Sequence, residues 1–405
     1  MSLFAWRDLS PSVVLAAVLA LLVGYSGPFL IIVHAAQSAG LSASQLGSWV
    51  WAISVGSGVA GLWLSLRWKM PVITAWSTPG AALLLAALPG TPYPAAVGAF
   101  LASALLITLI GVTGLFDRLM RHFPAALAAA MLGGILFRFV AELAGAAAQN
   151  ALLVVPMALL FFLGRRFFPR YALPLAIVLG LAIAAGQGLF VPAAASHGAS
   201  GPLWTTPQWS WSAFGNIALP LTLVALTGQF MPGMAVLNAS GYHLPARSPV
   251  TVLGVTSMLT APFGSHGVVL AAITAAICTG TEAHPDPQRR YMAGVVCGVL
   301  YILLGLVGGA LAGLILSLPK ALVVTAAGLA LFGTLASSLT AALTDTAHRE
   351  AALLTFVVAA SGITIGGLGA PLWAMLAGGT VSFLLHSKVG RKTPAEGTGG
   401  SVVKP

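Results

Sequence analysis

The chain has 405 residues, 58% of them hydrophobic and only 6% charged, with a mean hydropathy of +0.98. A soluble domain carries about 25% charged residues, so a water-facing surface cannot be built from this composition and a soluble enzyme or binding module is excluded. The net charge of +10 does not indicate nucleic acid, because the basic residues fall singly or in pairs between long apolar runs, as in cytoplasmic loops.

The apolar runs are continuous, not alternating segments of a β-barrel, so the spans are expected to be helices. Fourteen segments are predicted: 11–34, 46–66, 72–88, 94–115, 124–143, 150–164, 172–190, 213–237, 249–261, 263–280, 291–316, 320–342, 350–367 and 370–387. The first run, Val13 to Val33, is too long for the apolar core of a cleaved signal peptide. It carries Tyr25-Ser26-Gly27-Pro28 in mid-span. The third segment is short and interrupted at Trp76-Ser77-Thr78-Pro79-Gly80.

In the fifth, Arg138 and Glu142 stand four residues apart on one helix face and are expected to pair as a gating or structural unit. The stretch Trp204 to Trp211, with three tryptophans among polar residues, reads as an interfacial anchor between two halves. The eighth segment carries Gln229 just before Met231-Pro232-Gly233, and the tenth carries Phe263-Gly264-Ser265-His266-Gly267. Gln229 suits either a substrate contact or a hydrogen bond between helices. Cys278 and Cys297 sit inside apolar segments and read as small buried side chains. The tail, 388–405, is polar and Gly-rich and is expected to be disordered.

Charge asymmetry tests the count. With both termini in the cytoplasm, every Lys and Arg falls on the cytoplasmic side except Lys320 and Arg138. One missed or extra span would scramble that pattern.

The two interrupted segments match each other at an offset of 187: Trp76 with Phe263, Thr78 with Ser265, Gly80 with Gly267, Leu83 with Leu270. The fold expected is an all-α polytopic membrane protein of 14 segments in 7+7 inverted repeats, with two short strands in segments 3 and 10. Interrupted segments at matching places in two halves point to a transporter site. Val72 to Trp76 is expected to be extended, with Thr78 as the N-cap and Pro79 as the first helical residue of the helix that follows. In the second half, Thr260 to Gly264 is expected to be extended, with Ser265 capping a helix from His266 onward.

Two half-helices then point their N-termini at each other, each with several free N–H groups, and hold a small monoanion such as a carboxylate. The alternative is that Pro79 and Gly267 mark ordinary kinks. Trp76 and Phe263 are expected to sandwich an aromatic ring, and Gly80 and Gly267 to let the ligand approach the backbone. Tyr25 and Ser26 are symmetric candidates for substrate contact. A bound anion would favour the protonated form of His266, the logic of proton-coupled uptake; a neutral histidine in a structural hydrogen bond is the other reading. No metal, hydrolase or nucleotide-binding signature is present, so no cofactor and no enzymatic activity are expected.

At these residues the chain resembles the BenE-type benzoate:proton symporters, from Leu9 to about Lys388. The resemblance rests on Pro71-Val72-Ile73-Thr74-Ala75-Trp76-Ser77-Thr78-Pro79-Gly80-Ala81, on Gly264-Ser265-His266-Gly267, and on Ala271-Ala272-Ile273-Thr274-Ala275-Ala276-Ile277-Cys278-Thr279-Gly280. That family in turn resembles the uracil permease fold. The resemblance implies a core of segments one to four and eight to eleven moving against a gate of segments five to seven and twelve to fourteen. The boundaries expected are 1–143 for the first core segments plus the fifth, 144–212 for gate segments and linker, 213–316 for the second core segments, and 317–387 for the remaining gate.

Nucleobase permeases of this fold use acidic side chains in segments eight and ten, where this chain has Gln229 and His266. That difference fits an anionic substrate. The partners implied are a small aromatic carboxylate, a proton and the lipid bilayer of a bacterial inner membrane, with homodimerisation left open. A carrier of another small anion or of a nucleobase-like solute, or an anion channel of the same fold, are the competing readings.

Overall fold

The computed structural model describes residues 8–26, 28–118, 124–168, 172–190, 201–281, 283–316, 318–365 and 368–386. The expected disordered tail, and Gly27 of the first segment, lie outside the described residues.

The described chain is mainly helical, as its composition requires. Seven helices are long and apolar enough to cross a membrane: Pro11–Ser38, Ala43–Trp68, Tyr93–Thr113, Ala125–Gln149, Trp211–Ala239, Pro287–Gly308 and Lys320–Thr344. The elements used below are α1 (Pro11–Ser26), α2 (Pro28–Ser38), α3 (Ala43–Trp68), β1 (Thr74–Trp76), α4 (Thr78–Ala87), α5 (Tyr93–Thr113), α6 (Ala125–Gln149), α7 (Ala151–Phe167) and α8 (Ala172–Gly186). They continue with α9 (Trp211–Ala239), α10 (Arg247–Thr260), β2 (Val268–Leu270), α11 (Ile273–Thr279), α12 (Tyr291–Leu316), α13 (Lys320–Thr344), α14 (Arg349–Ser361) and α15 (Ala370–His386). Two-residue strands at Thr364–Ile365 and Leu368–Gly369 pair between α14 and α15, so the helix of the segment expected over 350–367 ends early, at Ser361.

Local chemistry sets the helix ends. Ser42 and Gln45 form a reciprocal capping box at the start of α3. Lys69 ends that helix in the left-handed region at φ 52. Helix α5 starts behind Pro92 and stops at Gly114, φ 69.

Lipid offers no hydrophobic drive between helices, so association rests on close packing. Helices α3 and α12 form the most extensive contact, through small residues. A Cβ on Gly58 would stand 2.5 Å from the Gly298 carbonyl oxygen, and one on Gly298 would stand 2.7 Å from that of Gly58. Helix α10 packs on α5, while α6 packs on both α13 and α14. The linker from 201 to 210 lies across the helix ends: Thr205 N–H donates to Pro262 (2.8 Å) and Gln208 N–H to Pro94 (2.9 Å). Trp204, Trp209 and Trp211 are all exposed along it, as an interfacial anchor would be.

Both interrupted segments contain a short strand, and the strands pair with each other. β1 and β2 are antiparallel, with Thr74 opposite Leu270, Ala75 opposite Val269 and Trp76 opposite Val268. Flanking helices satisfy the remaining polar groups of these buried backbones, as hydrocarbon requires. Ser65 of α3 bonds both the N–H and the C=O of Val72, Thr74 Oγ1 donates to the Ser57 carbonyl (2.5 Å), and Ser257 of α10 accepts from Val268 N–H (2.8 Å).

The second half corrects the sequence reading. Thr260 to Gly264 is not extended: α10 runs through Thr260 and tightens into a 3₁₀ turn at Ala261–Phe263, ending at Gly264 with φ 99. Ser265 caps no helix, and His266 and Gly267 lie in the connection leading into β2. The strand lies after His266, so Val268–Leu270 matches Thr74–Trp76, and Trp76 has no counterpart in Phe263. The half-helix of this segment is α11, starting at Ile273.

Candidate functional site

The paired strands end beside a cavity of ≈690 Å³, enclosed by both interrupted segments, α9, and the facing helices α6 and α13. Trp76, Thr78 and Pro79 line it from the first interrupted segment, and Ala271, Ala272 and Thr274 from the second. Among the described residues its lining carries no charged side chain. Its size lies in the range of sites that bury small organic ligands, ~300–1,000 Å³.

Trp76 is held rigidly. Its indole Nε1–H donates to the Gly24 carbonyl (3.0 Å), and its ring packs against Tyr25 with centroids 4.4 Å apart. Phe29 stacks on it at 6.2 Å. The Tyr25 hydroxyl bonds that of Ser54. Tyr25 therefore braces Trp76 from behind and does not line the cavity. The side chain of Ser26 lies outside the described residues.

The start of α4 is largely capped internally. Pro79 has no N–H; Gly80 N–H donates to Ser77 Oγ (3.0 Å) and Ala81 N–H to the Ser77 carbonyl (2.8 Å). The several free N–H groups expected here reduce to Thr78, whose amide and hydroxyl make no hydrogen bond among the described residues. Gly80 is buried against Leu221 and Ser77, with no room for a Cβ, and contributes packing, not ligand approach.

Gln229 reaches the cavity through a helix defect. Pro232 lacks the N–H that would bond four residues back, and Leu226–Phe230 forms a π-turn, with Met231 N–H donating to Leu226. Such turns are frequent at functional sites. Thr274, near the start of α11, also faces the cavity, and its buried hydroxyl has no hydrogen-bond partner. Sequence reading missed it because the second half-helix was expected seven residues too early, at His266. The alignment of strand with strand, not of Trp76 with Phe263, is the signal that finds it.

The other predicted residues lie elsewhere. Phe263 packs edge-on against Trp51 and Trp204, with centroids 5.6 and 5.5 Å away, so no aromatic sandwich forms with Trp76. Ser265 is buried and its hydroxyl has no partner. The Gly267 carbonyl accepts from Ser77 N–H (3.3 Å), tying the two interrupted segments together.

His266 is buried behind the strands. Its Nδ1 accepts from Trp49 Nε1–H (3.0 Å), which leaves Nε2 carrying the proton and donating to the Ser77 carbonyl (3.0 Å). Both nitrogens of the neutral ring are thus used. Arg138 and Glu142 do not form the expected ion pair: no contact within 4.0 Å joins them, and the Arg138 guanidinium rests on Gly362 of the turn after α14.

A family profile described as "Benzoate membrane transport protein" matches residues 7–384. The chain is 41% identical over 379 residues to the "Benzoate membrane transport protein" of Acinetobacter baylyi, covering 94% of this chain and 96% of that one. It is 40% identical over 379 residues to the "Inner membrane protein YdcO" of Escherichia coli K12, covering 94% and 97%.

Among solved structures, it superposes on the transmembrane domain of the cyanobacterial bicarbonate transporter BicA with TM-score 0.59 at 15% identity, covering 94% of this chain and 98% of that one. It also superposes on the murine anion transporter Slc26a9 in the inward-facing state with TM-score 0.63 at 13% identity, covering 94% and 69%. These last two likenesses show the fold. The sequence matches, spanning nearly the whole chain, place this protein in the family of benzoate membrane transport proteins.

Proposed function

We propose that the protein is a secondary transporter that imports benzoate or a similar aromatic carboxylate together with a proton across a bacterial inner membrane. The observation that carries this is the cavity itself: uncharged, flanked by a rigid tryptophan, and supplied with hydroxyl and amide donors where two broken segments meet. The ring packs on Trp76. The carboxylate bonds Thr78, Thr274 and Gln229, and among the described residues no acidic side chain lines the cavity. Membership of the benzoate family supports the substrate class. Another small anion is the second reading, supported by structural neighbours described as anion and bicarbonate transporters.

The proposed topology is fourteen segments in two inverted halves of seven, with both termini cytoplasmic. Helix packing supports a division into core and gate: α1, α3, α5, α10 and α12 contact one another, and α6, α7, α8, α13, α14 and α15 form a second set. The cavity lies between the sets, so movement of one against the other would expose it to alternate sides.

His266 is the proposed proton-coupling residue. A second proton on its ring must go to Nδ1, which would break the bond from Trp49 and release α3 from the connection that leads from α10 into β2.

Purified protein in liposomes should accumulate labelled benzoate above equilibrium when an inward proton gradient is imposed, measured against empty liposomes. Uptake no greater than that of empty liposomes, by folded protein, would overturn the proposal.

A further inference from the structure

The wall facing Trp76 belongs to α6 and α13, and it is made of small apolar side chains with one uncommitted hydroxyl. Ala125, Ala128 and Ala129 of α6 and Ala330 and Ala341 of α13 line it, and Ser338 stands among them. Ser338 is only 6% exposed, and its hydroxyl makes no hydrogen bond to another described residue. Its Cβ lies near Gly133 of α6, where an added Cβ would stand 3.7 Å away. Its oxygen is not among the sealed, unpartnered polar atoms of the described residues, so it stays open to the cavity and takes its hydrogen bond from what occupies that space.

The size of the cavity bears on the same point. A dry cavity of about 150 Å³ holds benzene, whereas this one has ≈690 Å³. A benzoate with its carboxylate at Thr78 and Thr274 leaves space between its ring and the Ser338 wall. A polar ring substituent remote from the carboxylate would extend into that space and meet a group able both to donate and to accept.

We propose that Ser338 reads a hydrogen-bonding substituent at the far side of the substrate ring, so that ring-hydroxylated benzoates are a preferred substrate class. This rests on the reading that the cavity binds aromatic carboxylates. The preference is set from the wall opposite the carboxylate-binding groups, so substituent selection and carboxylate binding are separable by mutation.

The test is a competition series against labelled benzoate with the full-length protein in liposomes. The competitors are unlabelled benzoate and its 2-, 3- and 4-hydroxy derivatives. The readout is each derivative's affinity relative to benzoate within one variant, which removes any general effect of the substitution. In the wild type, the 3- or 4-hydroxy acid should compete at least as well as benzoate. Ser338→Ala should lower that relative affinity about five- to tenfold, the worth of one hydrogen bond, and Ser338→Thr should keep it.

The 2-hydroxy acid, whose hydroxyl bonds its own carboxylate, should keep its relative affinity in all three proteins. Exclusion of both the 3- and 4-hydroxy acids by the wild type, or an unchanged ratio in Ser338→Ala, would overturn the Ser338 assignment while benzoate binding stands. Failure of every aromatic acid to compete would overturn the underlying reading and this assignment with it.

Discussion

The Trp49–His266–Ser77 bridge is one of the places where side chains join the two halves of the chain, and its worth can be worked out from the bonds. Truncating His266 to Ala leaves the Trp49 indole N–H buried without a partner, while the Ser77 carbonyl keeps its bond from Ala81 N–H. The orphaned indole costs about 1–3 kcal/mol, so His266→Ala should destabilise by about that much. Trp49→Phe strands only Nδ1 and should cost about 1–3 kcal/mol.

In the double variant neither the orphaned indole nor the orphaned Nδ1 exists, so the loss should fall short of the sum of the singles by about 2–6 kcal/mol. His266→Gln, which can accept from Trp49 and donate to Ser77, should recover part of the stability. The assay is denaturant unfolding in detergent for wild type, both singles, the double and the Gln variant. Strict additivity of the two singles would refute the bridge. For transport, Trp49→Phe should retain benzoate binding but weaken the dependence of uptake on the proton gradient. An unchanged gradient dependence would remove this bond from the coupling.

Four further outcomes follow from the geometry. Trp76→Ala should weaken benzoate binding at least tenfold, since aromatic contact alone is worth about 0.5–1.5 kcal/mol beyond buried area; Trp76→Phe should lose less, and both are read by equilibrium binding. Gln229→Ala and Thr274→Val should each raise the uptake KM by roughly ten- to 150-fold, from the loss of one bond of about 1.5–3 kcal/mol to a charged group. Gly98→Ala should detach the interfacial linker, because a Cβ there would stand 2.1 Å from the Gln208 carbonyl oxygen; faster proteolysis between 201 and 210 would report it. Gly58→Leu should prevent α3 and α12 from closing, giving protein that fails to purify as a monodisperse species.

Membrane character was legible in the sequence because composition alone leaves no water-facing surface. The first interrupted segment was legible because a proline directly after a threonine marks a helix start, though the structure starts α4 one residue earlier, with Ser77 in place of Thr78 as the cap. The second was located but misread in register. Its strand, Val268–Leu270, has no proline or capping hydroxyl at its end, so Ser265 and His266 offered a false helix start. An error of that size moves the half-helix by two turns, which substituted Phe263 for the true lining residues and hid Thr274.

The wall from α6 and α13 left no trace in the sequence. Alanine and serine in an apolar helix look the same whether they face lipid, a neighbouring helix or a cavity, and only the packing of distant segments distinguishes these. The π-turn at Gln229 was partly legible, since Pro232 forbids one ladder bond. The Arg138–Glu142 pair shows the opposite case: correct helical spacing, with the arginine drawn instead to the turn at Gly362.

The central claim is that an aromatic carboxylate occupies the cavity between the broken segments and the α6–α13 wall. Site-directed labelling tests this most directly. Ala128→Cys and Ala272→Cys place thiols on opposite walls, while the native Cys278 and Cys297 are buried and give a low background. Benzoate is expected to slow maleimide modification of both, with no effect on a control thiol at the exposed Leu203. Modification of both cavity thiols at rates that saturating benzoate leaves unchanged would contradict the account.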